Sequence, residues 1–501
     1  MRSITTTFMI AAILAAAPVA AQVVKTASGA VSGSTVGTVS SFKGIPYAAA
    51  PTGENRWRSP QPVQGWQGTR DATKFAPDCA QAPFPPDAAP IVTTPSEDCL
   101  FLNVWQPSKA KAGAKLPVMV WVHGGGFVNG GSSPAVYSGE NFARDGVVFV
   151  SLNYRLGRFG FFAHPGLAAA GFGGNFGFLD QIAALNWVQQ NIASFGGDPA
   201  NVTVFGESAG GMSMHMLLQS PLARGLYAKV IIESGSGRDR ALAMLSIAGA
   251  AKAGETFAPG LTAEQLRALP ESQVTGDLSM FTMGKPGYSG PMVDGKTILA
   301  GSSIEAIEGG LYAKVPVIVG ANSADGFPFV TDKDAIFAGY GANADKARAI
   351  YDSDGKTSGL ALGIATSADR MMIEPSRAVA RGLATRQPTW FYRFAYAVPQ
   401  VAAAMGGAPH ASEIPYVFAT VAARKDPKMI PAEEPVAALT HKYWVNFAKS
   451  GKPDADAVPA WPQAIAGDTT VQLIDATGAS HVEDPMRMRL DFAEGLTKTA
   501  P

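Results

Sequence analysis

Short apolar runs recur along the chain between turns rich in glycine and proline, and several do not alternate with polar residues. The clearest is "LPVMVWVHGGG", Leu116 to Gly126, near-continuous in apolar residues as a strand buried on both faces is. "LFLNVWQP", "GVVFVSLNYR", "NVTVFG", "AKVIIESG", "KVPVIVGAN" and "PTWFYRFAY" predict further strands. Segments of helical period lie between them. "FLDQIAALNWVQQNI" predicts a helix over Phe178–Ile192, "SAGGMSMHMLLQ" a second, and "HKYWVNFAKSGKP" a late one stopped by Gly451 and Pro453. Strands alternating with helices predict an α/β fold, a large and mostly parallel twisted sheet covered on both faces. Ahead of it, Gln22–Phe42 reads as a small antiparallel meander, and Ala48–Pro95, rich in Pro and Gly, as irregular chain. Residues 238–290 are the least regular stretch and are expected to form a cap over the site. Nothing resembling a repeat or linker divides residues 22–501, which read as a single domain.

The first residues form a separate unit. "MRSITTTF" carries one arginine, "MIAAILAAAPVA" is apolar, and small residues precede Gln22, the pattern of a secretory signal over residues 1–21. A buried N-terminal helix is the alternative. The apolar stretch is short for a membrane span, and no later run is longer, so no stable membrane anchor is expected. The Ala- and Gly-rich style points to a bacterial protein exported to the periplasm or the medium. In that setting an even cysteine count favours a disulfide between Cys79 and Cys99, with two free buried thiols as the alternative.

Composition mainly excludes. Apolar residues make up 47% and charged residues 16%, which suits a large core and not a disordered chain. Lys plus Arg and Asp plus Glu both number 40, so no basic excess argues for nucleic acid. The two cysteines have no neighbouring histidine and make a poor zinc site, and no metal or cofactor is expected.

The chemistry gathers around "VTVFGESAGGMSMH", where a strand hands over to a helix at Ser208. Glycines at 206 and 210 remove the side chains that would clash across so sharp a turn, and the Ala209 amide lies beside the hydroxyl. A serine needs a base, and the chain has six histidines. His215 lies along the same helix, pointing away from the elbow. His123 stands at a strand end before three glycines, and His441 lies on an apolar helix as a packed residue. In the order serine, acid, histidine, His410 in "GGAPHASEIPYVF" is well placed, with His481 as the alternative. "VHGGGF" lets backbone amides approach a developing negative charge, so Gly125, Gly126 and Ala209 are the candidate oxyanion donors. A phosphate loop would need a different glycine spacing. The acid is less defined among many carboxylates; Asp325, after the strand in "VPVIVGANSADGFPF", is the candidate.

Together these segments resemble the type-B carboxylesterase family of α/β-hydrolases, which includes cholinesterases and bacterial para-nitrobenzyl esterases. The resemblance runs through "FKGIPYAAAPTGENRWRSPQP", "SEDCLFLNVW", "PVMVWVHGGGF", "NYRLGRFGFFAHP", "GNFGFLDQIAALNWVQQNIASFGGDPANVTVFGESAGG" and "HASEIPYVF". It implies Ser208 as nucleophile, His410 as base, Gly125, Gly126 and Ala209 as the oxyanion hole, and a Cys79–Cys99 disulfide. It also implies that Glu207, beside the nucleophile, influences charge in the gorge. The chain departs from the family at "NSADG", where the family usually has N-x-D-E-G: Asp325 stands at the Glu position and Ala324 at the preceding Asp. The shorter side chain requires a closer loop, a displaced His410 or a bridging water. The implied activity is hydrolysis of small-molecule carboxylic esters through an acyl-enzyme. A catalytically silent binding or adhesion protein on the same fold, an amidase and a true lipase are the alternatives. Met280, Phe281, Met283, Tyr288 and Met292 are candidates for an apolar acyl pocket. The sequence carries no signal for the substrate's identity or the oligomeric state.

Overall fold

Strand residues here serve two cores at once. In the computed structural model, which describes residues 22–498 apart from 86–87, 172, 239–243 and 424–429, an eleven-stranded sheet runs through the molecule. Its strands in chain order are β1 (Ser34–Val36), β2 (Val39–Pro46), β3 (Phe101–Pro107), β4 (Leu116–Val122), β5 (Val148–Leu152), β6 (Gly197–Glu207), β7 (Lys229–Glu233), β8 (Val317–Asn322), β9 (Thr389–Phe394), β10 (Thr470–Asp475) and β11 (Gly478–Glu483). Their spatial order is β11-β10-β9-β8-β7-β6-β4-β5-β3-β2-β1. From β5 to β10 every pairing is parallel; β1, β2, β3 and β11 are antiparallel edges.

Along β4, Val118, Val120 and Val122 enter one core while Met119 and Trp121 enter the other. On β7, Val230 and Ile232 join the first and Ile231 the second. The first core is completed by Leu185 and Val188 of the helix Phe176–Asn191, Leu217 of Ala209–Gln219, and Val379 and Leu383 of Glu374–Ala384. The second is completed by Tyr443, Trp444 and Phe447 of Ile430–Ser450. This double burial is why the strands read as continuous apolar runs. Each buried aliphatic side chain contributes roughly 2 kcal/mol, and a one-residue slip would exchange the two faces, so the register is tightly held.

The predicted helices are present with different ends. The first begins at Phe176 and continues as a 3₁₀ turn to Phe195, where Gly196 at φ 83° closes it. The late one starts far upstream, at Ile430, and Gly451 follows it at φ 77°. The N-terminal meander is antiparallel but divided: Val23–Lys25 pairs with Ala30–Ser32 in a small sheet that also holds Thr69–Asp71 in parallel, while the β1–β2 hairpin joins the main sheet. Residues 1–21 and 239–243 of the cap segment lie outside the described residues. The rest of the cap segment forms the short helices Ile247–Phe257, Ala263–Arg267 and Glu271–Thr275 and a turn region after them.

Cys79 and Cys99 are joined by a disulfide across 20 positions. Inside the loop, Thr93 donates to Asp78 Oδ2, which is also bonded by Ser133, and Glu97 pairs with Arg56. Closing a loop of this length constrains the unfolded chain by about 3 kcal/mol. The Cys79→Ser, Cys99→Ser double variant is therefore expected to lose about that much unfolding free energy in a urea titration. An unchanged midpoint would mean that the loop's hydrogen bonds hold it unaided.

Candidate active site

β6 ends at Glu207 and the helix Ala209–Gln219 begins two residues later, so Ser208 alone makes the turn. Its backbone sits at φ 58°, ψ −122°, strain on the order of 1–3 kcal/mol for a residue with a side chain. The glycines around it are obligatory. A Cβ at Gly206 would lie 2.5 Å from the Val122 carbonyl oxygen, and one at Gly210 only 2.0 Å from the same atom. On the other side, the Ser208 amide donates to the Glu233 carbonyl at 3.0 Å. The serine is held between the ends of β4 and β7 and is 8% exposed, so it faces a pocket rather than bulk solvent.

The structure brings Ser208, His410 and Asp325 together. His410 Nε2 lies 2.9 Å from Ser208 Oγ, and its Nδ1 lies 2.6 Å from Asp325 Oδ1. Asp325 is fully buried, and its other oxygen accepts from Ser234 Oγ at 2.6 Å and the Asn322 amide at 2.8 Å. The shorter carboxylate thus reaches the imidazole directly, with no water between. The loops approach far enough because Ala324 pairs with Pro409 in a parallel bridge, the Ala324 amide donating to Ala408 at 2.8 Å. Gly326 lets this loop close onto the helix Gly359–Ala368, where a Cβ would meet the Ile364 carbonyl at 2.2 Å.

Glu207 Oε1 lies 3.2 Å from His410 Nε2. Burial pulls the His410 pKa down, but the charges of Glu207 and Asp325 outweigh it and hold the imidazole above its ordinary value. Two further buried carboxyls complete the surroundings. Glu233 accepts from Trp444 Nε1 at 2.7 Å, and burial, with Glu413 nearby, pushes it well up. Glu413 is bonded by Asn322 Nδ2 and pushed up to about 7, first by burial and then by Asp325. Sequence reading missed Glu233, Ser234 and Glu413. Glu413, three positions after His410 in "HASE", carried a signal in its spacing; the other two became visible only when β7 came to lie beside β8.

The glycine loop leaves β4 next to the elbow: a Cβ at Gly124 would lie 3.1 Å from the Ser208 Cβ. Gly125 and Gly126 follow at φ 102° and 62°. Among the described residues, none accepts a hydrogen bond from the amides of Gly125, Gly126 or Ala209.

Three of the other histidines, His123, His215 and His441, have partners of their own. His215 Nδ1 meets Tyr312 Oη at 2.8 Å, and burial pulls its pKa down to about 4. His123 stacks on Tyr154 at 4.5 Å, His441 packs on Phe142 at 4.5 Å, and His481 is exposed on the edge strand β11. A cavity of about 90 Å³ lies against the helix that follows the elbow, lined by Phe127, Phe178, Met212, Met216, Met283 and Tyr288 among others but not by Ser208 or His410 themselves. Two of the five acyl-pocket candidates, Met283 and Tyr288, line it. Met280 packs by Gly126, Phe281 is 77% exposed outside, and Met292 is buried in a core with Ala163 and Ala250.

The carboxylesterase family model matches residues 20–355 and 351–493. The chain is 38% identical to fumonisin B1 esterase of Sphingopyxis macrogoltabida over 496 residues, covering 91% of this chain and 88% of that one. It is 35% identical to para-nitrobenzyl esterase of Bacillus subtilis (strain 168) over 464 residues, 88% and 92% of the two chains. A solved structure of a PNB esterase superposes with a TM-score of 0.80 at 32% identity, covering 96% of this chain and 99% of that chain. With the parallel sheet and the strand–serine–helix elbow in place, these matches make the chain a member of the carboxylesterase family, an α/β-hydrolase that hydrolyses carboxylic esters.

Proposed function

We propose that the protein is an exported serine carboxylesterase that works through an acyl-enzyme on Ser208, with His410 as general base and Asp325 as its acid. The observation that carries this reading is the unbroken hydrogen-bonded line from Asp325 through His410 to Ser208 Oγ. Ser208 Oγ attacks the ester carbonyl carbon as its proton passes to His410 Nε2. Asp325 holds Nδ1–H and stabilises the imidazolium that forms. The carbonyl oxygen, now negative, takes hydrogen bonds from the amides of Gly125, Gly126 and Ala209. The intermediate collapses as His410 returns its proton to the leaving alcohol oxygen. Water then repeats the cycle from His410 and releases the acid. The cavity lined by Phe127, Met212 and Met283 suits the acyl group.

Residues 22–501 act as one catalytic unit with 238–290 as its cap. The leader pattern of residues 1–21 and the Cys79–Cys99 disulfide support export. Expression of the full chain in a bacterial host should yield a periplasmic protein whose N-terminal sequence begins at Gln22; a cytoplasmic product retaining Met1 would refute export.

A para-nitrophenyl ester serves as assay substrate, in keeping with the para-nitrobenzyl esterase relative. Ser208→Ala is expected to abolish hydrolysis while the circular dichroism spectrum is unchanged. A fluorophosphonate should label Ser208, read by peptide mass spectrometry, and Asp325→Asn should slow turnover by roughly 10³–10⁴-fold. Equal rates in Asp325→Asn and the native enzyme would assign the acid elsewhere.

The charges around His410 set the pH dependence. Carboxylates that raise the imidazole pKa require a higher pH to free the base, so kcat/KM should rise with pH along a limb lying above 6.5, the ordinary histidine value. Removing one negative charge lowers that pKa. Glu207→Gln is therefore expected to move the acid limb to lower pH, and a limb that stays in place would show that Glu207 does not act on the imidazole.

A further inference from the structure

Asn129 lies three residues beyond Gly126 and is fully buried. Its backbone amide donates to the Gly125 carbonyl at 2.9 Å, and its own carbonyl oxygen lies 2.2 Å from where a Gly125 Cβ would sit. It therefore belongs to the same tight turn as the oxyanion glycines. Its side chain reaches out of that turn in two directions. Nδ2 donates to the Ala82 carbonyl at 2.9 Å, in the disulfide loop, and Oδ1 accepts from the Met280 amide at 3.1 Å, in the cap segment. One amide thus occupies both a donor and an acceptor on segments about 200 positions apart in sequence.

Neighbouring contacts repeat the link. Gln81 makes a reciprocal pair with the Gly130 backbone, donating to its carbonyl at 2.7 Å and accepting from its amide at 2.9 Å. The Met280 bond sets that turn against the glycines: a Cβ on Gly126 would lie 3.2 Å from Met283 Sδ and 3.4 Å from Met280 Cγ. Further out, Phe84 of the disulfide loop packs on Phe281 of the cap segment at 5.0 Å. Gly125 and Gly126 take positive φ values and carry no side chains of their own to fix them, so contacts from outside the turn are what hold its amides in one direction.

We propose that Asn129 is a positioning residue for the oxyanion hole, its side-chain amide clamping the Gly125–Gly126 turn between the disulfide loop and the cap segment. The inference rests on the serine mechanism proposed above. A buried amide that merely filled space would affect stability alone. One that orients the oxyanion donors affects transition-state binding, because misplacement by about 1 Å costs on the order of 100-fold.

The test uses Asn129→Ala and the more conservative Asn129→Ser, with para-nitrophenyl acetate as substrate. Turnover is normalised to sites titrated to completion by a fluorophosphonate, so misfolded protein does not count. Asn446→Ala, which removes a buried amide bonded to the Pro453 and Asp456 carbonyls far from the turn, is the control. Both Asn129 variants are expected to lose roughly ten- to a hundredfold in kcat with KM within about threefold. Their rate of phosphonylation should fall in parallel, since the phosphonyl oxygen uses the same donors, while Asn446→Ala keeps its kcat whatever it loses in stability. A lowered melting temperature with kcat and labelling rate unchanged in the folded variants would overturn the proposal. If Ser208→Ala itself stayed active, the serine mechanism would fall; if it is inert while the Asn129 variants keep full kcat, only this inference falls.

Discussion

One carbonyl oxygen, that of Val122, limits the whole site. It ends the central parallel strand β4 at the place where β6 turns into the helix Ala209–Gln219, and it leaves no room for a side chain at either residue 206 or residue 210. The strain at Ser208 is sustained because the surrounding sheet over-determines it: parallel pairing of β6 with both β4 and β7 fixes the strand, and the Glu233 carbonyl takes the Ser208 amide. The glycine loop springs from the same β4 terminus. Ser208 and the Gly125–Gly126 loop are therefore referenced to one strand end, and their separation depends on sheet register, which two apolar cores hold in place.

Charge is the second constraint. Glu207, Asp325 and Glu413 are buried and act on one imidazole, and Glu233 is buried beside Glu413 and Glu207. Uncompensated, burying several carboxylates costs several kcal/mol each. The fold offsets this with donors: Ser234 and the Asn322 amide for Asp325, Trp444 for Glu233, and the Asn322 side chain for Glu413. Burial also leaves Glu233 and Glu413 holding protons more readily than free carboxyls do. The remaining negative field acts on His410 and stabilises its cationic form.

Much of this was legible because it is local. The strands around the elbow announce themselves as runs too apolar for a half-exposed sheet, and Ser208 sits in a motif whose glycines have a steric reason visible in sequence. His410 and Asp325 were readable as candidates from their order after Ser208. What escaped was set by spatial neighbours. The division of the meander between two sheets depends on Thr69–Asp71 pairing with Ala30–Ser32. The early start of Ile430–Ser450 is not written in its apolar half, and it contains Pro435, which the pattern reads as a stop. Asn129 looks like an ordinary loop polar residue until the disulfide loop and the cap segment close around it.

The acid illustrates how such a site tolerates change. The Asp325 side chain is one methylene shorter than a glutamate's, and a loop held further off would leave a gap that water could fill. Here the gap is closed from both sides by backbone. The Ala324–Pro409 bridge ties the acid loop to the histidine loop one residue away from each catalytic candidate, and Gly326 removes the side chain that would hold the acid loop off its neighbouring helix. Because the bridge is made by main-chain atoms, it sets the approach of the two loops without depending on which carboxylate is carried. The Asp325 carboxylate, one methylene shorter than a glutamate's, therefore reaches His410 Nδ1 at 2.6 Å with nothing bridging the two.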